Sequence, residues 1–193
     1  RRVAPKARII MASTLTHKGA RTTIQALSRG ATDYIGKPEA GQLGGADAYR
    51  DTLIEKIRAL GGPPVPVRPQ PVQRPAAVVR SSAQTKRAAV FKRPDVIVVA
   101  SSTGGPQALQ TVLPEITKKT DLPILVVQHM PPTFTAILAE HLDAVCRHKA
   151  AEGQEGEVVM NGRIYIAPGG YHMEIVERHG RVTIGLNQKE PVN

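Results

Sequence analysis

The stretch Val96–Gly105, Val-Ile-Val-Val-Ala-Ser-Ser-Thr-Gly-Gly, constrains the fold of this chain more than any other. A β-branched run, Val96 to Val99, stops at small hydroxyl residues and two glycines, and a helix-compatible stretch follows from Pro106 to about Lys119. A short apolar run bounded by turn signals reads as a buried strand. Strand, tight turn and helix in that order present unpaired backbone N–H groups beside a hydroxyl at the carboxyl end of the strand. Such a turn needs small residues two before and two after an exposed nucleophile, because their side chains crowd its backbone. Ser102 has Ala100 and Gly104 there, whereas Ser101 would have the β-branched Val99 and Thr103. On these residues alone Ser102 is either a helix cap or a nucleophile. A phosphate-cradling turn is a third option, although the Walker lysine and the G-x-G-x-x-G spacing are absent.

The chain beyond this turn repeats the pattern. Leu109, Val112, Leu113 and Ile116 mark one face of the helix, Pro123–Gln128 is a second buried strand, and Thr133 to about Val145 is the next helix. His129 follows the second strand directly, so a right-handed crossover places Ser102 and His129 on the same rim of a parallel sheet. A neutral imidazole there can take a hydroxyl proton and return it to a leaving group. His172 is the one rival, because the Ala167-Pro168-Gly169-Gly170 turn before it is expected to reach that rim. His141 and His148 are expected to be exposed, His179 beside Gly180 to sit in a turn, and His17 to lie at a helix start. Gly162–Leu186 alternates in strand fashion. The scattered histidines offer no metal-binding spacing, and no cofactor motif is present.

The first sixty residues read strand, helix, strand, helix. Arg8–Ala12 and Asp33–Gly36 are the strands; His17–Arg29 and Ala48–Leu60 are the helices, the second with Leu53, Ile54, Ile57 and Leu60 on one face. Residues 61–93, rich in proline and carrying 7 basic and no acidic side chains, form a semi-extended linker. That linker and the first sixty residues account for the net charge of +10, while residues 94–193 are net acidic. With almost no aromatic residues for base stacking, a solvated basic linker explains the charge better than a nucleic-acid arm. A single Cys146 fits a reducing cytoplasm, and no secretory signal or membrane-spanning run is visible. The chain opens on Arg1 with apolar patterning almost at once, as a piece of a longer chain would.

Two sets of motifs carry a resemblance. Ile-Met-Ala-Ser-Thr-Leu-Thr, Ala-Leu-Ser-Arg-Gly-Ala-Thr-Asp-Tyr-Ile and Lys-Pro resemble the C-terminal half of a response-regulator receiver domain, of flavodoxin-like fold. The resemblance implies that Ser13 and Lys37 contact a phosphoryl group, that the Lys37-Pro38 bond is cis, and that the phospho-accepting aspartate precedes Arg1. Val-Ala-Ser-Ser-Thr-Gly-Gly, Val-Val-Gln-His-Met-Pro-Pro-Thr-Phe-Thr and Tyr-Ile-Ala-Pro-Gly-Gly-Tyr-His-Met, in that order, closely resemble the chemotaxis protein-glutamate methylesterases, the CheB family. Ala100 stands where that family has glycine, and His141 where it often has arginine.

The implied organisation is residues 1–60 as the C-terminal half of a receiver domain, 61–93 as linker, and 94–193 as the N-terminal part of a doubly wound parallel α/β esterase domain, both domains incomplete. The implied function is hydrolysis of glutamyl methyl esters on chemoreceptors to glutamate and methanol, with glutamine deamidation in some members. Ser102 would be the nucleophile, His129 the general base and the Thr103 N–H an oxyanion donor. The third triad member, an aspartate, would lie beyond Asn193; Asp95, Asp121 and Asp143 do not replace it, so the 193 residues alone would be inactive. The implied partners are methylated chemoreceptor cytoplasmic domains and a chemotaxis histidine kinase acting on the receiver, with no cofactor, no metal, no nucleic acid and no membrane insertion. The unphosphorylated receiver would pack over the esterase site. A receiver with a DNA-binding output, or a non-enzymatic adaptor that kept the fold, are the alternatives; the first needs a helix-turn-helix after the linker.

Overall fold

A computed structural model describes residues 7–38, 45–61 and 94–190. The first part runs β1 (Ile10–Ser13), α1 (His17–Ser28), β2 (Asp33–Gly36) and α2 (Gly45–Gly61). β1 and β2 pair in parallel with Ser13 opposite Gly36. The Thr16 hydroxyl caps α1 by accepting from the Gly19 N–H at 3.1 Å. The apolar face expected on α2 is present but unburied among the described residues, with Ile57 half exposed. One residue of α2 does reach inward: Lys56 pairs with the buried Asp33 carboxylate at 2.7 Å. Apart from Gly61, which ends α2, the expected linker lies outside the described residues.

The second part builds the larger sheet: β3 (Ile97–Ser101), α3 (Gly105–Thr117), β4 (Ile124–Gln128), α4 (Pro132–Val145), β5 (Lys149–Glu152) and β6 (Arg163–Ile166). Its strands are all parallel in the order β3-β4-β6-β5. Among the described residues no helix-turn-helix follows the expected linker. α3 and α4 lie on one face, where Leu109, Leu113, Phe134, Leu138 and Leu142 close over Ile124, Val126, Ile164 and Ile166. The opposite face carries Leu125 and Tyr165, which pack with Ile184 of the hairpin β7 (His172–Arg178) and β8 (Arg181–Asn187). Apolar side chains pointing both ways explain why β4 reads as an unbroken apolar run. Among the described residues the second face bears this hairpin rather than a helix, and Val98 and Val127 stay exposed beside it.

β5 is the strand the sequence analysis misses. Lys-Ala-Ala-Glu has no β-branched or aromatic residue, and it forms because β6 pairs with it at the sheet edge. The Lys37–Pro38 bond is trans, since no cis peptide occurs among the described residues. α1 packs its Ala20, Ile24 and Leu27 against α3 and α4, so the two parts share one apolar core. At its edge the Tyr34 and Phe134 rings stack with centroids 4.8 Å apart.

Candidate active site

The register Ser101↔Gln128 between β3 and β4 sets the geometry, because Ser102 and His129 are the next residue on each strand. The His129 N–H donates to the Ser101 carbonyl at 3.2 Å, which ties the two strand ends together. Both candidate side chains are exposed at the carboxyl rim of the sheet, as the crossover rule requires.

The two serines part company here. The Ser101 hydroxyl donates to Gln128 Oε1 at 2.7 Å and is committed there. Ser102 emerges into solvent with its hydroxyl unpaired among the described residues. The chain then turns through Gly104, whose φ of 73° is the left-handed region that a side chain disfavours. The Ser102 carbonyl accepts the Gly105 N–H at 2.9 Å, and the Thr103 and Gly104 N–H groups stay unpaired among the described residues. Ser102 therefore does not cap α3; its N-cap is Gly104, with no side-chain bond.

A cavity of about 290 Å³ opens beside His129, lined by Ala100, Ser101, Met130 and the 167–171 turn. The Thr135 hydroxyl, fully buried in the first turn of α4, holds this turn in place. It accepts the Gly169 N–H at 3.0 Å and lies 2.6 Å from Glu152 Oε1. The 167–170 turn thus reaches the rim, as expected, but His172 does not join it. His172 Nε2 bonds the Lys189 carbonyl at 3.0 Å on the hairpin instead. Among the described residues no carboxylate lines the cavity. Asp121 is spent on Arg147 at 3.0 Å, and Asp143 accepts the Ala150 N–H at 2.9 Å.

Two histidines differ from expectation. His148 is buried, with Nε2 2.9 Å from the Thr120 carbonyl, because the chain leaving α4 passes under the 117–120 turn before entering β5. His141 is half-buried against α1, and burial lowers its pKa. His179 occupies the hairpin turn with φ of 53°, as expected. The residue the sequence analysis passed over is Gln128. Its signal was a lone polar side chain closing the buried run Ile-Leu-Val-Val-Gln.

In the first part of the chain, Ser13 and Lys37 come together at the carboxyl ends of β1 and β2, where the Lys37 N–H donates to the Ser13 carbonyl at 2.6 Å. Both border a cavity of about 290 Å³ with Thr14 and Gly19. Among the described residues no group of three or more His, Cys, Asp or Glu side chains is placed to hold a metal ion. No described helix is long and apolar enough to cross a membrane.

Comparison with known proteins shows the family. The family model for the CheB methylesterase matches residues 97–193. A protein-glutamate methylesterase/protein-glutamine glutaminase of Azospirillum brasilense is 45% identical over 214 residues, covering 99% of this chain and 52% of that protein. A second protein so named, from Caulobacter vibrioides, is 46% identical over 191 residues, covering 98% of this chain and 53% of its own. The crystal structure of the Thermotoga maritima CheB methylesterase catalytic domain is similar at 39% identity and a TM-score of 0.49, covering 53% of this chain and 54% of that one. The chain spans about half the length of the curated relatives it matches. With half of its residues matched by the family model, the chain belongs to the CheB methylesterase family.

Proposed function

We propose that the full-length protein is a cytoplasmic hydrolase of glutamyl methyl esters on chemoreceptors, with Ser102 as nucleophile and His129 as general base. The observation that carries this reading is their placement one residue beyond the Ser101↔Gln128 pair, side by side at the carboxyl rim. Ser102 Oγ attacks the ester carbonyl carbon while His129 takes its proton. The carbonyl electrons move onto oxygen, where the Thr103 N–H receives the developing charge. Collapse of that intermediate breaks the bond to the methoxy oxygen, and His129 returns the proton, releasing methanol. Water, deprotonated by His129, then cleaves the acyl-serine to free the glutamate carboxylate and restore the hydroxyl. Glutamine would follow the same course with ammonia as leaving group, in line with the names the relatives carry. An aspartate supplied from outside these residues would orient the imidazole; its loss costs about 10⁴ in turnover in the best-studied triad.

Residues 1–60 act in this proposal as part of a receiver, joined through 61–93 to the esterase part at 94–193. A chemotaxis histidine kinase would supply the phosphoryl group, and Ser13 and Lys37, a hydroxyl and an ammonium on neighbouring strand ends, suit such a group. Two contacts support control of the site by this part. α1 is seated on α3 and α4, and the Leu60 side chain at the end of α2 lies 4.0 Å from where a Cβ on Gly104 would stand. Among the described residues none before 94 lines the His129 cavity, so this seat is on the flank of the site rather than over its mouth.

Methanol release from methylated receptor fragments by the full-length protein tests the chemistry. Ser102→Ala is expected to abolish release, while Ser101→Ala lowers it no more than about fivefold, the worth of one neutral hydrogen bond. Equal release by wild type and Ser102→Ala would overturn the nucleophile.

A further inference from the structure

We propose that Gln128 is a positioning residue for the oxyanion donor, its buried carboxamide fixing the direction of the Thr103 N–H. This deepens the esterase reading and rests on it. Gln128 is only 5% exposed, and an amide is buried without penalty only when its polar atoms are paired. Here they are paired across the two strand ends. Oε1 accepts from Ser101 Oγ at 2.7 Å, and Nε2 faces the carbonyls of Ser102 at 3.1 Å and His129 at 3.4 Å. Backbone carbonyls can only accept, so the amide has one acceptable orientation; flipping it would set Oε1 against both.

The Ser102 carbonyl and the Thr103 N–H belong to one planar trans peptide and point in opposite directions. Donation from Nε2, with that from the Gly105 N–H at 2.9 Å, draws the carbonyl inward and thereby turns the Thr103 N–H outward. The same carboxamide bears on the backbone of His129, so one side chain contacts the main chain of both candidate catalytic residues. Room for it comes from Gly105, where a Cβ would collide with Oε1 and lie 2.8 Å from the Ser101 Cβ.

An oxyanion donor acts only as charge develops, so its misdirection lowers kcat and leaves KM largely alone. The full-length protein, assayed on methylated receptor fragments, is compared with Gln128→Glu and Gln128→Met. The first keeps an acceptor for Ser101 but sets a carboxylate against two carbonyls; the second keeps the approximate length and loses every bond. Both are expected to lose about 10- to 100-fold in kcat with KM within about twofold, and to react correspondingly more slowly at Ser102 with a fluorophosphonate probe. Thermal unfolding should stay cooperative in both. A wild type that neither releases methanol nor labels at Ser102 would sink the esterase reading, and this inference with it. A wild type that does both, with Gln128 variants that match its kcat, would overturn the positioning role alone. Parallel changes in kcat and KM, or loss of cooperative unfolding in both variants, would also overturn it by making Gln128 a packing residue of the sheet.

Discussion

Cys146 ends α4 as its C-cap and lies half-buried beside Thr117, and burial pushes its thiol from 9.0 up to about 11. The thiolate is the reacting form, so a raised pKa means little of it near neutrality and a rise only as pH passes from 9.0 toward 11. Alkylation by iodoacetamide at pH 8, followed by mass spectrometry, is therefore expected to run slower in the folded protein than after urea unfolding, with the gap closing as pH approaches the raised value. Other single residues differed in how openly the sequence displayed them. Ser102 was separable from Ser101 because crowding at a tight turn depends only on neighbouring side chains, which are local and visible. Gln128 and His148 were opaque for the opposite reason. The partners of each, Ser101 and Thr120, lie 27 and 28 residues away, and only the folded register brings them near.

At the scale of elements, Thr135 does most to join separate pieces. Its hydroxyl links the first turn of α4, the Gly169 amide and the Glu152 carboxylate on β5. Thr135→Val keeps the shape and strands an amide and a carboxylate, which is expected to cost about 1–3 kcal/mol in urea unfolding. The 167–170 turn that walls the His129 cavity loses an anchor, so activity should fall along with stability. The strands and helices themselves were legible wherever a period of 2 or 3.6 residues ran long enough. Every helix among the described residues was found within three residues of its ends, because Gly, Pro and capping residues mark them. β5 was not, since its pairing with β6 rather than its composition makes it a strand. α2 shows the converse case, an apolar face correctly read from spacing that remains uncovered among the described residues.

Over the whole molecule, the two parts meet through apolar side chains rather than through charge. The Arg21–Glu140 pair between α1 and α4 is exposed at 2.8 Å and worth little, whereas Ile24, Leu27 and Phe134 are all but fully buried. Phe134→Ala is expected to destabilise by about 3–5 kcal/mol. Because Phe134 stacks on Tyr34, far-UV circular dichroism and tyrosine fluorescence should report one shared transition. Two separate transitions would show the shared core to be marginal. The parallel sheet also has a consequence in time. β3, α3 and β4 are consecutive in the chain, and Ser102 and His129 both come from that one unit. A chain made N-terminus first lets such a short-range unit leave the ribosome and pair its strands before residues 167–170 exist. The proposed nucleophile and base are then neighbours in the nascent chain, and the wall of the cavity beside His129 is added afterwards.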